Sequence, residues 1–152
     1  MKITYKGDYA LKALLQLALR YNEGDVLSIN EIAKLGDMPV NFLEQILLTL
    51  RKGGFVKAKR GVQGGFSLAR HPKDVTVGEV IRFIEGPIEP ISCAEEGHYK
   101  GCKDISSCIF RGVWKEVSHA ISIVVDTLTF EELVLRHKEK NLNSIPTHDY
   151  HI

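Results

Sequence analysis

The stretch from Pro39 to Gly54, Pro-Val-Asn-Phe-Leu-Glu-Gln-Ile-Leu-Leu-Thr-Leu-Arg-Lys-Gly-Gly, restricts the fold of this chain more than any other. Proline suits the first turn of a helix, because the N–H it lacks has no partner there anyway. Leu43, Ile46, Leu47 and Leu50 then recur at steps of three and four, a single buried stripe, until two glycines end the helix. The opposite face carries Asn41, Glu44, Gln45, Thr49, Arg51 and Lys52, all able to hydrogen-bond outward. Upstream, Ser28-Ile-Asn-Glu31 has the form of a capping box, so a short helix carrying Ile29, Ile32 and Ala33 is expected to run to Gly36. Two helices joined by a turn of about four residues containing Gly, the second with a polar outer face, make a helix-turn-helix. On this pattern alone a plain helical hairpin reads equally well.

The next segment decides between them. Phe55-Val-Lys-Ala-Lys-Arg60 reads as a strand, Gly61-Val-Gln-Gly64-Gly65 as a tight turn, and Phe66-Ser-Leu-Ala as the return strand. From Arg51 to Lys73 there are seven Lys or Arg residues and no Asp or Glu. A basic hairpin directly after a polar-faced helix is the wing of a winged helix-turn-helix. Lys59 and Arg60 would meet phosphates or the minor groove, while Asn41, Glu44 and Gln45 carry groups that read base edges. A merely solvated basic face accounts poorly for the missing acids.

The expected fold is therefore mainly α with a small β wing. Residues 1–85 form the DNA-binding domain. In it Leu11, Leu14, Leu15, Ala18 and Leu19 mark a first helix over 9–20, and Thr76-Val-Gly-Glu79 is a second capping box opening a helix with Val77, Val80, Ile81 and Ile84 inward. Residues 86–108 form a loop, and 109–140 hold a long helix and a short last one capped by Thr129. From Asn141 to Ile152 the tail is polar. On the long helix Phe110, Trp114, Val117, Ile121, Val124 and Leu128 alternate three- and four-residue steps, an a/d seam that favours a second long helix. No other segment is long enough, so the expected partner is a second copy of the chain, forming a homodimer around 109–128. Val113 and Val125 widen the stripe enough for it also to touch its own domain. No apolar run reaches the roughly 20 residues of a membrane span, and the amino terminus is no secretion signal, so a cytoplasmic location is expected. The six His are scattered and no G-x-S-x-G motif occurs, so no enzyme is expected.

All three cysteines, Cys93, Cys102 and Cys108, fall in the 86–108 loop, flanked by Glu, Lys, Gly and Ser rather than by an apolar run. Three thiols cannot pair completely, and a reducing cytosol keeps them free. Such a set suits soft-metal ligation, of zinc or of an iron-sulfur cluster, which needs a fourth ligand.

Asn41-Phe-Leu-Glu-Gln-Ile, Arg60-Gly61 followed by Gly64-Gly65-Phe, Ile84-Glu-Gly-Pro and the three cysteines together resemble the bacterial winged-helix regulator family that includes IscR and NsrR. The likeness spans residues 1–135. It implies a transcriptional regulator, read as a repressor, that binds double-stranded operator DNA as a dimer and responds to an iron-sulfur cluster, either 2Fe-2S or 4Fe-4S. Carried over, it places Asn41, Glu44, Gln45 and Arg60 at DNA and Cys93, Cys102 and Cys108 on the cluster; Ser28, Arg51, Lys52, Lys59, Gly61, Gly64 and Gly65 are expected at DNA beside them. Where the IscR pattern has a His three residues after the last Cys, this chain has Arg111, whose cation cannot ligate iron. NsrR-like members carry an amino-terminal Asp, donated by the other subunit, and Asp8 stands at that place. Asp8 is the expected fourth ligand, with His98, Glu96 and Asp104 in the loop as alternatives. The alternative function is a cluster-free winged-helix regulator controlled by thiol oxidation, zinc or a protein partner.

Overall fold

The computed structural model describes residues 2–94 and 102–144. Six helices and one hairpin follow in order: α1 (Tyr5–Leu19), α2 (Ile29–Gly36), α3 (Val40–Lys52), β1 (Val56–Lys59), β2 (Gly65–Leu68), α4 (Val77–Glu85), α5 (Ile109–Thr127) and α6 (Phe130–Asn143).

Helix α1 is the spine. It buries Ala10, Ala13, Leu14, Leu17 and Ala18, and α2, α3, α4 and α6 all pack on it. The alanines let neighbouring backbones come close, and the leucines fill the space between them. Its amino-terminal residue, Thr4, makes no side-chain cap. The last residue of α4 does this instead: one Glu85 carboxylate oxygen accepts from Thr4 N at 2.9 Å, Thr4 Oγ1 at 2.6 Å and Gly7 N at 3.1 Å. A negative group at a helix amino terminus meets both the unpaired N–H groups and the positive end of the dipole. Gly7 is needed here, because a Cβ would strike the Glu85 carboxylate.

The helix-turn-helix forms as the sequence implies. Ser28 Oγ accepts from Glu31 N at 3.3 Å and Ser28 N donates to Glu31 Oε2 at 2.7 Å, a complete capping box. Pro39 sits one residue before α3 rather than inside it, and Leu43, Ile46, Leu47 and Leu50 are buried. In the antiparallel wing Val56 pairs with Leu68 and Lys59 with Gly65. An isolated bridge joins β2 on its other edge: Leu27 N donates to Phe66 O at 2.9 Å and Phe66 N to Leu27 O at 2.7 Å. A side chain on Gly65 would collide with the Leu27 backbone, so this stitch requires glycine.

Two expectations need correction. The Thr76–Glu79 box is only half formed: Thr76 Oγ1 accepts from Glu79 N at 3.1 Å, but the Glu79 carboxylate is taken by Arg70 in a two-pronged pair at 2.6 and 2.8 Å. An ion pair with two charge-assisted bonds outcompetes one bond to a neutral backbone N–H. The last helix is not short. α6 has 14 residues and continues past Asn141 to Asn143; the rest of the expected polar tail, 145–152, lies outside the described residues. Its length follows from burial: Phe130 enters the core, and Leu133 and Val134 pack against it. Its start is held by a short bridge, Phe130 N to Val75 O at 3.0 Å and Val77 N to Leu128 O at 2.9 Å.

Replacing Glu85 with Ala is expected to lower stability by about 1–2 kcal/mol in urea titrations, the cost of a lost cap, and Glu85→Gln, which keeps a neutral acceptor, to recover part of it. The Glu79 carboxyl is held below its ordinary range, chiefly by its hydrogen bond with Arg70. A lowered folded-state pKa stabilises above the unfolded value, about 4.3, and that contribution disappears as pH falls through the folded one. The urea midpoint of the native chain should therefore fall more between about pH 5 and pH 3 than that of Glu79→Gln.

Candidate DNA-reading face and cysteine cavity

Asn41, Glu44 and Gln45 all stand exposed on the first two turns of α3, opposite its buried stripe. Arg51 and Lys52 are exposed at its end, and Lys57, Lys59 and Arg60 along β1 and into the turn. Gly64 N donates to Gly61 O at 2.9 Å, closing the wing tip. Gly64 and Gly65, expected at DNA, have intramolecular reasons to be glycine: a Cβ on Gly64 would meet the Lys59 carbonyl, and Gly65 admits Leu27. Ser28 Oγ accepts within its cap, which leaves its hydroxyl proton able to face a phosphate. Arg70, counted in the basic run, is neutralised by Glu79 and lies 5.8 Å from the Phe55 ring centre. The exposed basic residues of the run are therefore Arg51, Lys52, Lys57, Lys59, Arg60 and Lys73.

One feature of α3 escaped the sequence reading. Phe42 is 65% exposed and, with Tyr5 and Tyr9 of α1, lines an apolar groove beside Gln45. Its place off the 43/46/47/50 stripe was the available signal.

The three cysteines are free and line one cavity of about 230 Å³, walled by Ile91, Ile105, Phe110 and Trp114. Cys93 is partly buried in a short turn after Pro90, Cys102 is exposed, and Cys108 is the residue before α5. Among the described residues no three His, Cys, Asp or Glu side chains are gathered closely enough to hold a metal ion, so the thiols surround a common space without closing on it. Three thiols around one cavity fit an iron-sulfur group in donor type, and among the described residues they are the donors that line it. Asp8 is not in this wall. It sits in the first turn of α1, ion-paired with Lys12 at 2.7 Å. Asp104 is exposed in the turn before Cys108; Glu96 and His98 lie outside the described residues. Arg111 lines the cavity, and its Nε donates to the Cys93 carbonyl at 3.0 Å.

Helix α5 rises from this cavity, and none of its residues is buried in the described chain. Phe110 is 68% and Val124 62% exposed. The helix is tied to α4 through Arg82, which binds Asp126 Oδ2 at 3.0 Å and Ser122 Oγ at 3.2 Å. Its own domain thus satisfies one polar edge and leaves the apolar seam open.

Residues 3–136 match the Rrf2 family, described as iron-dependent transcriptional regulators. The chain is similar to an rrf2-like HTH-type transcriptional regulator of Rhodobacter capsulatus, 43% identical over 137 residues, covering 87% of this chain and 91% of the relative. Two solved structures share its architecture. One is CymR, described as the global cysteine regulator of B. subtilis, with TM-score 0.74 and 32% identity over 90% of this chain and 98% of that one. The other is IscR of T. potens, with TM-score 0.72 and 32% identity over 92% and 90%. The relatives are named as transcriptional regulators, not as enzymes. Among the described residues no helix is long and apolar enough to cross a membrane.

Arg60→Ala is expected to weaken operator binding by about 1–3 kcal/mol with loss of discrimination at one base if Arg60 reads a base edge, or to flatten the salt dependence of binding by about one unit if it meets phosphate. Fluorescence titrations at several salt concentrations on matched and mismatched duplexes separate the two, and no change in either would remove the wing tip from the interface.

Proposed function

This chain belongs to the Rrf2 family of iron-dependent transcriptional regulators, and on that premise we propose that it is a homodimeric repressor whose operator affinity follows an iron-sulfur cluster held by Cys93, Cys102 and Cys108. The observation that carries this reading is the single cavity that all three thiols line at the foot of α5. Thiolates are the ligands such a group requires, and when bound it supplies a centre that answers to iron supply and oxidants.

The chain's own residues account for the rest. The open seam of α5 packs on its twin in a second copy, which buries Phe110, Trp114, Val117 and Val124 and sets two wings on one face of a duplex. In that pair Asp8 of one copy serves the cavity of the other as fourth ligand, giving up its exposed contact with Lys12, which is worth little in water. Cys108 adjoins the first turn of α5, and α5 grips α4 through Arg82 and Asp126, so a rearrangement of the loop tilts the helix that carries the domain. Asn41, Glu44 and Gln45 read bases while Ser28, Arg51, Lys52, Lys59 and Arg60 hold phosphates or the minor groove, in the cytoplasm where operators lie.

A second reading is favoured by the likeness to CymR and by the exposure of Cys102 and Cys108. In it the same dimer is a cluster-free regulator that answers to thiol oxidation, zinc or a protein partner.

Anaerobically purified protein is expected to be brown, with stoichiometric iron and acid-labile sulfide per chain. Cys102→Ala should lose both and shift operator affinity. Colourless protein that stays metal-free after anaerobic reconstitution, or contains zinc, transfers the case to the second reading; a cluster-free variant with an unchanged operator titration removes the sensing role.

A further inference from the structure

Among the described residues, the wall of the cysteine cavity contains one cation, Arg111, beside four apolar side chains and the three thiols. Arg111 is half-buried, and its Nε bond to the Cys93 carbonyl fixes the plane of the guanidinium. That bond uses one of five N–H donors; among the described residues no other hydrogen bond or ion pair engages the group. The ligands read for this site, three thiolates and a carboxylate, are all anions. Gathering anions against Ile91, Ile105, Phe110 and Trp114 is costly unless a positive charge lies nearby, and a guanidinium keeps its proton under all ordinary conditions.

We propose that Arg111 is the charge-compensating residue of this site. It holds the Cys93 backbone through Nε and presents its remaining N–H groups and its charge to the anionic sulfurs of Cys93, Cys102 and Cys108. The role in tuning a cluster rests on the iron-sulfur reading; the role as counter-charge of the thiols does not. Through the charge, Arg111 favours the more reduced, more negative form of whatever the thiolates hold. Through the Nε bond, it couples the first turn of α5 to the Cys93 turn, so that loop and helix move together.

The test compares the native chain with Arg111→Lys, which keeps the charge, and Arg111→Gln, which removes it while keeping a hydrogen-bonding end. In metal-free, reduced protein, the rates at which iodoacetate and iodoacetamide alkylate each cysteine are followed by mass spectrometry. The ratio of the anionic to the neutral reagent cancels differences in thiol exposure and ionisation. It is expected to fall roughly fivefold in Arg111→Gln, as the loss of one nearby positive charge in water implies, and to return in Arg111→Lys. In anaerobically loaded protein the reduction potential should fall in Arg111→Gln and recover in Arg111→Lys. An unchanged alkylation ratio in Arg111→Gln overturns the proposal, whether or not the native chain takes up iron. Failure of the native chain to load iron overturns the cluster reading and leaves the ratio to decide the role of Arg111. If Arg111→Gln proves unfolded by circular dichroism, Arg111→Lys decides: a ratio well below the native one overturns the proposal, because charge alone should sustain it.

Discussion

The Glu85 carboxylate at the amino terminus of α1 is the contact on which the arrangement turns. It joins residues 81 positions apart through Thr4 and 78 apart through Gly7, and it does so at the end of the helix on which α2, α3, α4 and α6 pack. Glu85 is the last residue of α4; the next residues, Gly86 and Pro87, lead into the segment that carries the cysteines. Asp8 lies one residue beyond Gly7. The cap therefore fixes the position of α1 relative to the segment that carries the thiols, and it does so with charge-assisted bonds rather than with apolar area, which leaves the surrounding surface free for other contacts.

Burial is distributed unevenly along the chain, and function follows that division. The core gathers α1 to α4, the wing base and Phe130 of α6, while α5 contributes no buried residue. Along this 19-residue helix the apolar seam, with Phe110, Val117 and Val124, is not covered by the described residues. The cysteines sit at one end of it and the Arg82–Asp126 pair near the other. Helix α5 is therefore in contact with the Cys93 turn through Arg111 and with α4 through Arg82.

Much of this was legible in the residues. The 43/46/47/50 stripe, the Ser28–Glu31 box and the glycine-bounded basic hairpin are local patterns whose physics acts within a few residues, so reading them needed no tertiary information. The errors arose where distant groups competed. Glu79 has the right spacing to complete a box with Thr76, but Arg70, nine residues earlier, offers a charged partner. The segment from Phe130 reads as a short helix, yet α1 and the core give its first turns something to bury. Glu85 read as part of a motif without a role, because its partners lie at the other end of the sequence.

The sequence by itself determined the elements and their chemistry: which stretches are helical, where a basic wing follows a polar-faced helix, and that three thiols share one loop. Periodicity, capping and charge are properties of neighbouring residues, and they survive in a linear string. Only the tertiary structure decided that α6 returns to α1, that Gly7 and Gly65 are glycine because another backbone or carboxylate approaches them, that Arg111 shares a wall with Cys93, Cys102 and Cys108, and that none of the described residues buries α5. Those outcomes depend on which surfaces meet across long separations, where several partners of similar chemistry compete and packing selects among them.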